Sequence, residues 1–176
     1  LLGSRGLGDV YKRQLLFVRH AKSSWKNADL SDMERPLNKR GERDAPQIGV
    51  FLKKQGIKAD LMISSPANRA FTTAKIIADK LNYPQAEILQ HQNLYVFTYH
   101  IASIIEIIKT IDNKHENVLL FGHTPTFSAL AYYFSNRFTT ELPTCAAICF
   151  QFDVESWYDI SKENTAYLFH VFPKML

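Results

Sequence analysis

Two basic side chains stand together at the end of an apolar run: "LLFV" leads straight into Arg19 and His20. An unpaired charge is costly to bury. A run of this kind ending on two bases therefore points to an anion seated between them. Two more segments end in the same way. "ADLMISS" runs through "SSPANRAFTTA" to Arg69, about one turn into a helix, and "NVLLFGH" ends on His123. Arginine forks match phosphate oxygens in pairs, and a helix starting near Thr124 presents backbone N–H groups to an anion. Arg19, His20, Arg69 and His123 are thus a candidate phosphate site. A single histidine at a strand end is more often a structural residue. Four basic groups at three strand ends outweigh that reading.

The elements that must position these residues alternate along the chain. Leu15 to Val18 reads as a strand. After the loop "PLNKRG", Asn38 caps a helix that runs to about Gln55, with Ile48, Phe51 and Leu52 at core spacing and Gly56 closing it. Ala59 to Ser65 is a second strand, and Pro66 starts a helix that reaches about Leu81. "AEILQ" is a short strand. Ile104, Ile105, Ile108 and Ile111 share one face of a helix from Ile101 to Ile111. Asn117 to His123 is another strand, and Pro125 opens a helix to about Phe134. "CAAICFQFD" and "AYLFHVF" are the last two strands. This order predicts an α/β fold, a three-layer α/β/α sandwich with a mostly parallel central sheet. Ligands of such sheets bind outside the carboxyl ends of the strands, which brings the three basic ends to one rim.

The first residues do not fit this pattern. Leu1 to Gln14 has neither helical nor strand periodicity, and "SRGLGDVYKRQ" resembles one reading frame of a transposase adaptor used in sequencing libraries. Residues 1–14 are read as a non-native segment, and residues 15–176 as a single domain. Arg5, Lys12 and Arg13 against Asp9 account for +2 of the formal +4, so the domain itself carries +2. That charge, with no block of lysines or arginines, argues against nucleic acid. No apolar run approaches the ~18 residues of a membrane span. Cys145 and Cys149 fall in one predicted strand about 13 Å apart, too far to bridge. They read as reduced thiols of a cytoplasmic protein and lack the neighbours of a zinc site. A monomer is expected.

The segments "LLFVRHAKS", "RPLNKRGERDA", "SSPANRAFTTA" and "LLFGHTPTFSALA" resemble the signature elements of the histidine phosphatase (phosphoglycerate-mutase-like) superfamily. "LPTCAAICFQFDVESW" resembles the C-terminal segment of its short bacterial branch, the SixA-type phosphohistidine phosphatases. The resemblance implies that His20 is the nucleophile, that Arg19, Arg69 and His123 surround the phosphoryl group, and that no metal or other cofactor is needed. Histidine attack on phosphorus and hydrolysis of the resulting phosphohistidine is covalent catalysis with electrostatic support from preorganised donors. A neutral His20 is required, and Arg19, Arg69 and a protonated His123 would favour it.

Members acting on phosphate esters usually carry a carboxylic acid between the Arg69 helix and the His123 strand. Here that region reads "NLYVFTYH"; Glu87, Glu106 and Glu116 lie in unsuitable places. A dedicated proton donor is expected to be absent. The implied substrate is a phosphohistidine protein. The alternatives are a broad phosphatase for small phosphoesters, or a non-catalytic module that binds phosphoproteins. Lys22 and Ser24 read as solvated loop residues, and His91, His100, His115 and His170 as surface or core. Ser64 and Ser65 lack the G-x-S-x-G context of a serine hydrolase.

Overall fold

The computed structural model describes residues 11–176. Leu1–Val10, most of the segment read as non-native, lies outside the described residues. Strand β1 spans Arg13–Arg19 and so begins two residues before the expected Leu15. Lys12, Arg13 and Gln14 show no hydropathy alternation, which hid the strand. Arg13 is nonetheless buried. Its guanidinium donates to the carbonyls of Asn113 (2.9 Å), His115 (2.7 Å) and Glu155, and lies over the Trp157 ring. A buried cation is tolerable when carbonyls satisfy each of its donors.

Nine further elements follow: helix α1 (Lys39–Lys54), β2 (Leu61–Ser64), α2 (Asn68–Lys80), β3 (Leu89–Gln90), α3 (Ala102–Lys109), β4 (Asn117–Gly122), α4 (Thr126–Phe134), β5 (Ala147–Phe152) and β6 (Thr165–Val171). The sheet order is β3-β2-β4-β1-β5-β6. The first four strands are parallel, and β5 and β6 add antiparallel at one side. Alternate residues of β1 face opposite layers, as strand pleating requires. Leu16 and Val18 pack with Ile48 of α1 and Ile77 of α2. Leu15 and Phe17 pack with Ile104 and Ile108 of α3 and Leu130 of α4. The fold is the expected three-layer α/β/α sandwich.

Local chemistry sets the boundaries. The Asn38 side chain accepts from Gly41 N–H at 2.9 Å and caps α1. Gly41 is also sterically required, because a Cβ there would sit 2.3 Å from the Lys22 carbonyl oxygen. Glycine lets the start of α1 press against the segment just after β1. Gly56, at φ +77°, ends the helix in the left-handed region.

Two expectations need correction. Only Leu89 and Gln90 of "AEILQ" form the short strand, both exposed, while Ala86 and Glu87 belong to a single 3-10 turn, Gln85–Glu87. Cys145 lies before β5, not in it. Its φ is +61°, and its N–H donates to the His20 carbonyl at 3.0 Å. The positive φ, outside the extended region, is what keeps Cys145 out of β5. Both cysteines are buried and free. Among the described residues no helix is long and apolar enough to cross a membrane.

Candidate active site

Strand topology brings the four basic residues together. Arg19 ends β1 and pairs with Gly122, the last residue of the neighbouring β4. His20 and His123 therefore leave adjacent parallel strands side by side, with ring centroids 5.2 Å apart. On the other side of β4, Ser65 N–H donates to the Phe121 carbonyl at 2.9 Å and carries the chain from β2 into α2. Arg69, in the first turn of α2, is only 2% exposed. All four residues lie at the carboxyl ends of parallel strands or just beyond them.

Hydrogen bonds define the two histidines. His20 Nδ1 is 2.7 Å from the Ala21 carbonyl oxygen. A carbonyl only accepts, so Nδ1 carries the proton and Nε2 the lone pair. Burial lowers the His20 pKa to about 3; the Ala21 carbonyl opposes this, and the charges of Arg69, Arg19 and Arg35 reinforce it. Burial likewise lowers His123 to about 2, helped by His20 and Arg69. His123 is thus neutral in the free protein, which corrects the expectation of a protonated ring. Its Nε2 lies 2.7 Å from Ser65 Oγ.

Among the described residues, four buried side-chain atoms have no hydrogen-bond partner within the protein: Arg19 Nε, Arg69 Nε, His123 Nδ1 and Asp44 Oδ2. Asp44 lies on α1, with its Oδ2 3.5 Å from Arg40 Nε. The other three belong to the cluster around His20. Buried polar atoms are rarely left unpaired, and here three nitrogens converge from three strand ends. This is the chemistry of an oxyanion site.

Residues 15–95 match the model of the histidine phosphatase superfamily, branch 1, a span that includes His20 and Arg69. Over that span the chain is similar to the histidine phosphatase superfamily. This similarity supports phosphatase chemistry, a hydrolase reaction. An uncharacterized chloroplastic protein of Arabidopsis thaliana is 28% identical over 151 residues, 82% of this chain and 69% of that protein. A 2,3-bisphosphoglycerate-dependent phosphoglycerate mutase of Bartonella bacilliformis is 32% identical over 85 residues. That match spans 47% of this chain and 41% of the mutase. The fold is shared with a candidate phosphohistidine phosphatase SixA from Agrobacterium tumefaciens, at 19% identity and a TM-score of 0.75. That alignment covers 92% of this chain and 98% of the other.

The site also holds residues that sequence reasoning missed. Asp32, in a single-turn 3-10 helix (Asp32–Glu34), latches Arg69. Arg69 Nη2 donates to Asp32 Oδ2 at 2.9 Å, and Nη1 donates to the Asp32 carbonyl at 2.6 Å. Tyr95 OH donates to the same Oδ2 at 2.6 Å, and Arg35 Nε to Oδ1 at 3.1 Å. Burial raises the Asp32 pKa, but the Tyr95 and Arg69 hydrogen bonds and the Arg69 charge outweigh it and bring it to about 2. Glu141 accepts from Thr124 Oγ1 at 2.7 Å and pairs with Arg19 at 3.3 Å. The expectation that no suitable carboxylate exists covers only the region between the Arg69 helix and the His123 strand. It missed these two, which come from outside that stretch. Both act as acceptors toward site residues.

The cavity at this rim is about 260 Å³, and its walls include His20, Arg69, Arg35, Lys22, Trp25 and Phe97. Lys22 thus faces the site, against expectation. Ser24 Oγ instead accepts from Lys26 N–H in an exposed loop. Arg35 stacks on Trp25, 3.5 Å from its ring centroid. Phe97 and Tyr95 pack on His123, with centroids 4.7 and 5.5 Å away. A larger groove of about 1340 Å³ lies beyond Glu141, between Tyr132, Phe138 and Tyr167. It is lined by none of the four basic residues, whereas Arg19, His20 and Arg69 line the smaller cavity. The other four histidines lie elsewhere. His91 caps a turn, His115 sits 3.9 Å from Asp60, and His170 bonds Tyr167. His100 is exposed.

Proposed function

We propose that this chain is a metal-independent phosphatase that works through a phosphohistidine intermediate on His20, and that its substrates are proteins phosphorylated on histidine. The observation that carries the reading is the set of unpaired buried nitrogens, Arg19 Nε, Arg69 Nε and His123 Nδ1, around a histidine whose Nε2 holds the lone pair. Nε2 attacks phosphorus in line, and the bond to the leaving nitrogen breaks as that nitrogen takes up a proton. Water then attacks the phosphohistidine, releasing inorganic phosphate and restoring neutral His20. The donors meet negative charge on the equatorial oxygens, where preorganised dipoles contribute most. A low His20 pKa keeps the nucleophile unprotonated.

The leaving group supports the substrate class. Asp32 is ionised and fully engaged as an acceptor, so it brings no proton to a departing oxygen. Glu141 is likewise held as an acceptor by Thr124 and Arg19. An alkoxide is a strong base and needs a proton delivered at the bond. An imidazole, with a pKa near ~6.5, is readily protonated near neutral pH. Phosphohistidine therefore suits a site without a donor. The description of the Agrobacterium protein as a candidate phosphohistidine phosphatase points the same way. Two buried free thiols fit a reducing, cytoplasmic setting.

The test is kcat/KM at neutral pH on three substrates. Phosphohistidine should be fastest, an aryl phosphate next, and phosphoserine or a sugar phosphate slowest. A sugar phosphate equal to phosphohistidine would establish a proton donor and the small-phosphoester reading. Tight phosphoprotein binding with no turnover would establish the non-catalytic one.

A further inference from the structure

We infer that Ser65 is a positioning residue: its hydroxyl donates to His123 Nε2, so the single ring proton sits on Nδ1 and His123 offers Nδ1–H to the anion beside His20. The phosphoryl identity of that anion rests on the function proposed above; the tautomer does not.

The reasoning is one of proton accounting at a buried oxygen. Ser65 is fully buried. Its Oγ accepts the Ala67 N–H at 3.2 Å and lies 2.7 Å from His123 Nε2. A hydroxyl has one proton to give and two lone pairs. If Nε2 held the ring proton, Ser65 Oγ would accept twice and its own proton would have no acceptor. A buried donor left in that state is costly. Nδ1 would then also present a lone pair, the wrong polarity beside an anion. With the hydroxyl proton on the Oγ···Nε2 line, every group is satisfied except Nδ1–H. That nitrogen is one of the three buried atoms of the cluster without a partner in the protein.

The backbone holds this pair in place. Ser65 N–H is tied to the Phe121 carbonyl of β4, two residues before His123. Ser65 and His123 thus ride on the same pair of strands. The neighbouring Ser64 does not compete, because its hydroxyl donates to the Ser65 carbonyl at 2.8 Å. The motif "SSPANR" therefore carries two functions. Its arginine supplies charge, and its second serine selects the tautomer of a histidine 58 residues further along.

The experiment is long-range ¹H–¹⁵N correlation NMR on the full chain labelled at histidine, near pH 7, alongside inhibition by tungstate. In the wild type His123 should show a protonated Nδ1 and a bare Nε2. Ser65→Ala should lose that bias and weaken tungstate binding by roughly tenfold, less than the 10²–10³-fold typical of deleting a whole oxyanion donor. Ser65→Thr, which keeps the hydroxyl, should restore both. A wild-type spectrum with the proton on Nε2 overturns the inference, whatever the variants do. A Ser65→Ala protein that folds and binds tungstate as tightly as wild type also overturns it. The tautomer is read without turnover, so an inactive enzyme with Nδ1–H would refute the proposed function and leave this inference standing.

Discussion

Replacing Asp32 by asparagine keeps the side-chain shape and removes the charge that latches Arg69. Arg69 loses its charge-assisted bond from Nη2 (2.9 Å) but keeps the bond from Nη1 to the Asp32 carbonyl (2.6 Å). The drop in the Asp32 pKa from 3.8 to about 2 is worth at most about 2.5 kcal/mol at about 1.4 kcal/mol per factor of ten. The carboxylate is 43% exposed, and solvent screening reduces this to about 1 kcal/mol. For a domain of this size that is a fall in Tm of about 2–4 °C. The sign follows from linkage. A depressed carboxylate pKa stabilises the fold above the unfolded value of 3.8, and that stabilisation is lost as pH falls towards 2. Wild type should therefore exceed Asp32→Asn by the full amount at pH 7 in urea and thermal unfolding, with the gap closing below pH 4. Loosened Arg69 should also lower kcat by roughly tenfold, since small misplacements of binding groups are costly. A variant with wild-type Tm at pH 7 and wild-type kcat would refute the claim that Asp32 holds Arg69.

Three more outcomes are expected. Arg13→Ala should cost about 3 kcal/mol in urea unfolding, because the carbonyls of Asn113, His115 and Glu155 lose their donor, whereas removing residues 1–10 should change stability by less than ~0.5 kcal/mol. Folding stability should rise with pH between about 3 and 6.5, because unfolded histidines bind protons there that buried His20 and His123, with pKa values of about 3 and 2, do not; calorimetry across that range would show it, and a flat profile would contradict it. Gly41→Ala places a Cβ 2.3 Å from a backbone oxygen, so it should destabilise by about 2 kcal/mol or more and weaken tungstate binding as Lys22 shifts.

The sequence exposed the parts of the site that sit on regular elements. Arg19, His20 and His123 follow apolar strands, and Arg69 follows a strand and a helix start, so hydropathy and one topological rule brought them together. Asp32, Trp25 and Tyr95 lie in irregular segments with no period to read. Their roles come from tertiary contacts: Tyr95 OH reaches Asp32 across 63 residues. Arg35 stood inside the quoted "RPLNKRGERDA", yet nothing local showed that it would stack on Trp25 and hold Asp32. The same limit explains Arg13, which falls in the segment read as non-native for its lack of periodicity and which three carbonyls hold as a buried strand residue. The His123 protonation state was also beyond sequence reach. It depends on burial and on neighbouring charges that only the folded chain assembles.

The central claim is tested most directly by trapping phosphate on the enzyme. Wild-type protein and His20→Ala would be mixed with ³²P-labelled phosphohistidine protein, quenched in alkali within milliseconds, and digested for mass spectrometry, with and without EDTA. Acid-labile, base-stable label on His20 of the wild type, absent from His20→Ala and unchanged by EDTA, is the predicted result. Label on another residue, turnover by His20→Ala, or activity lost in EDTA and restored by a divalent metal would contradict it.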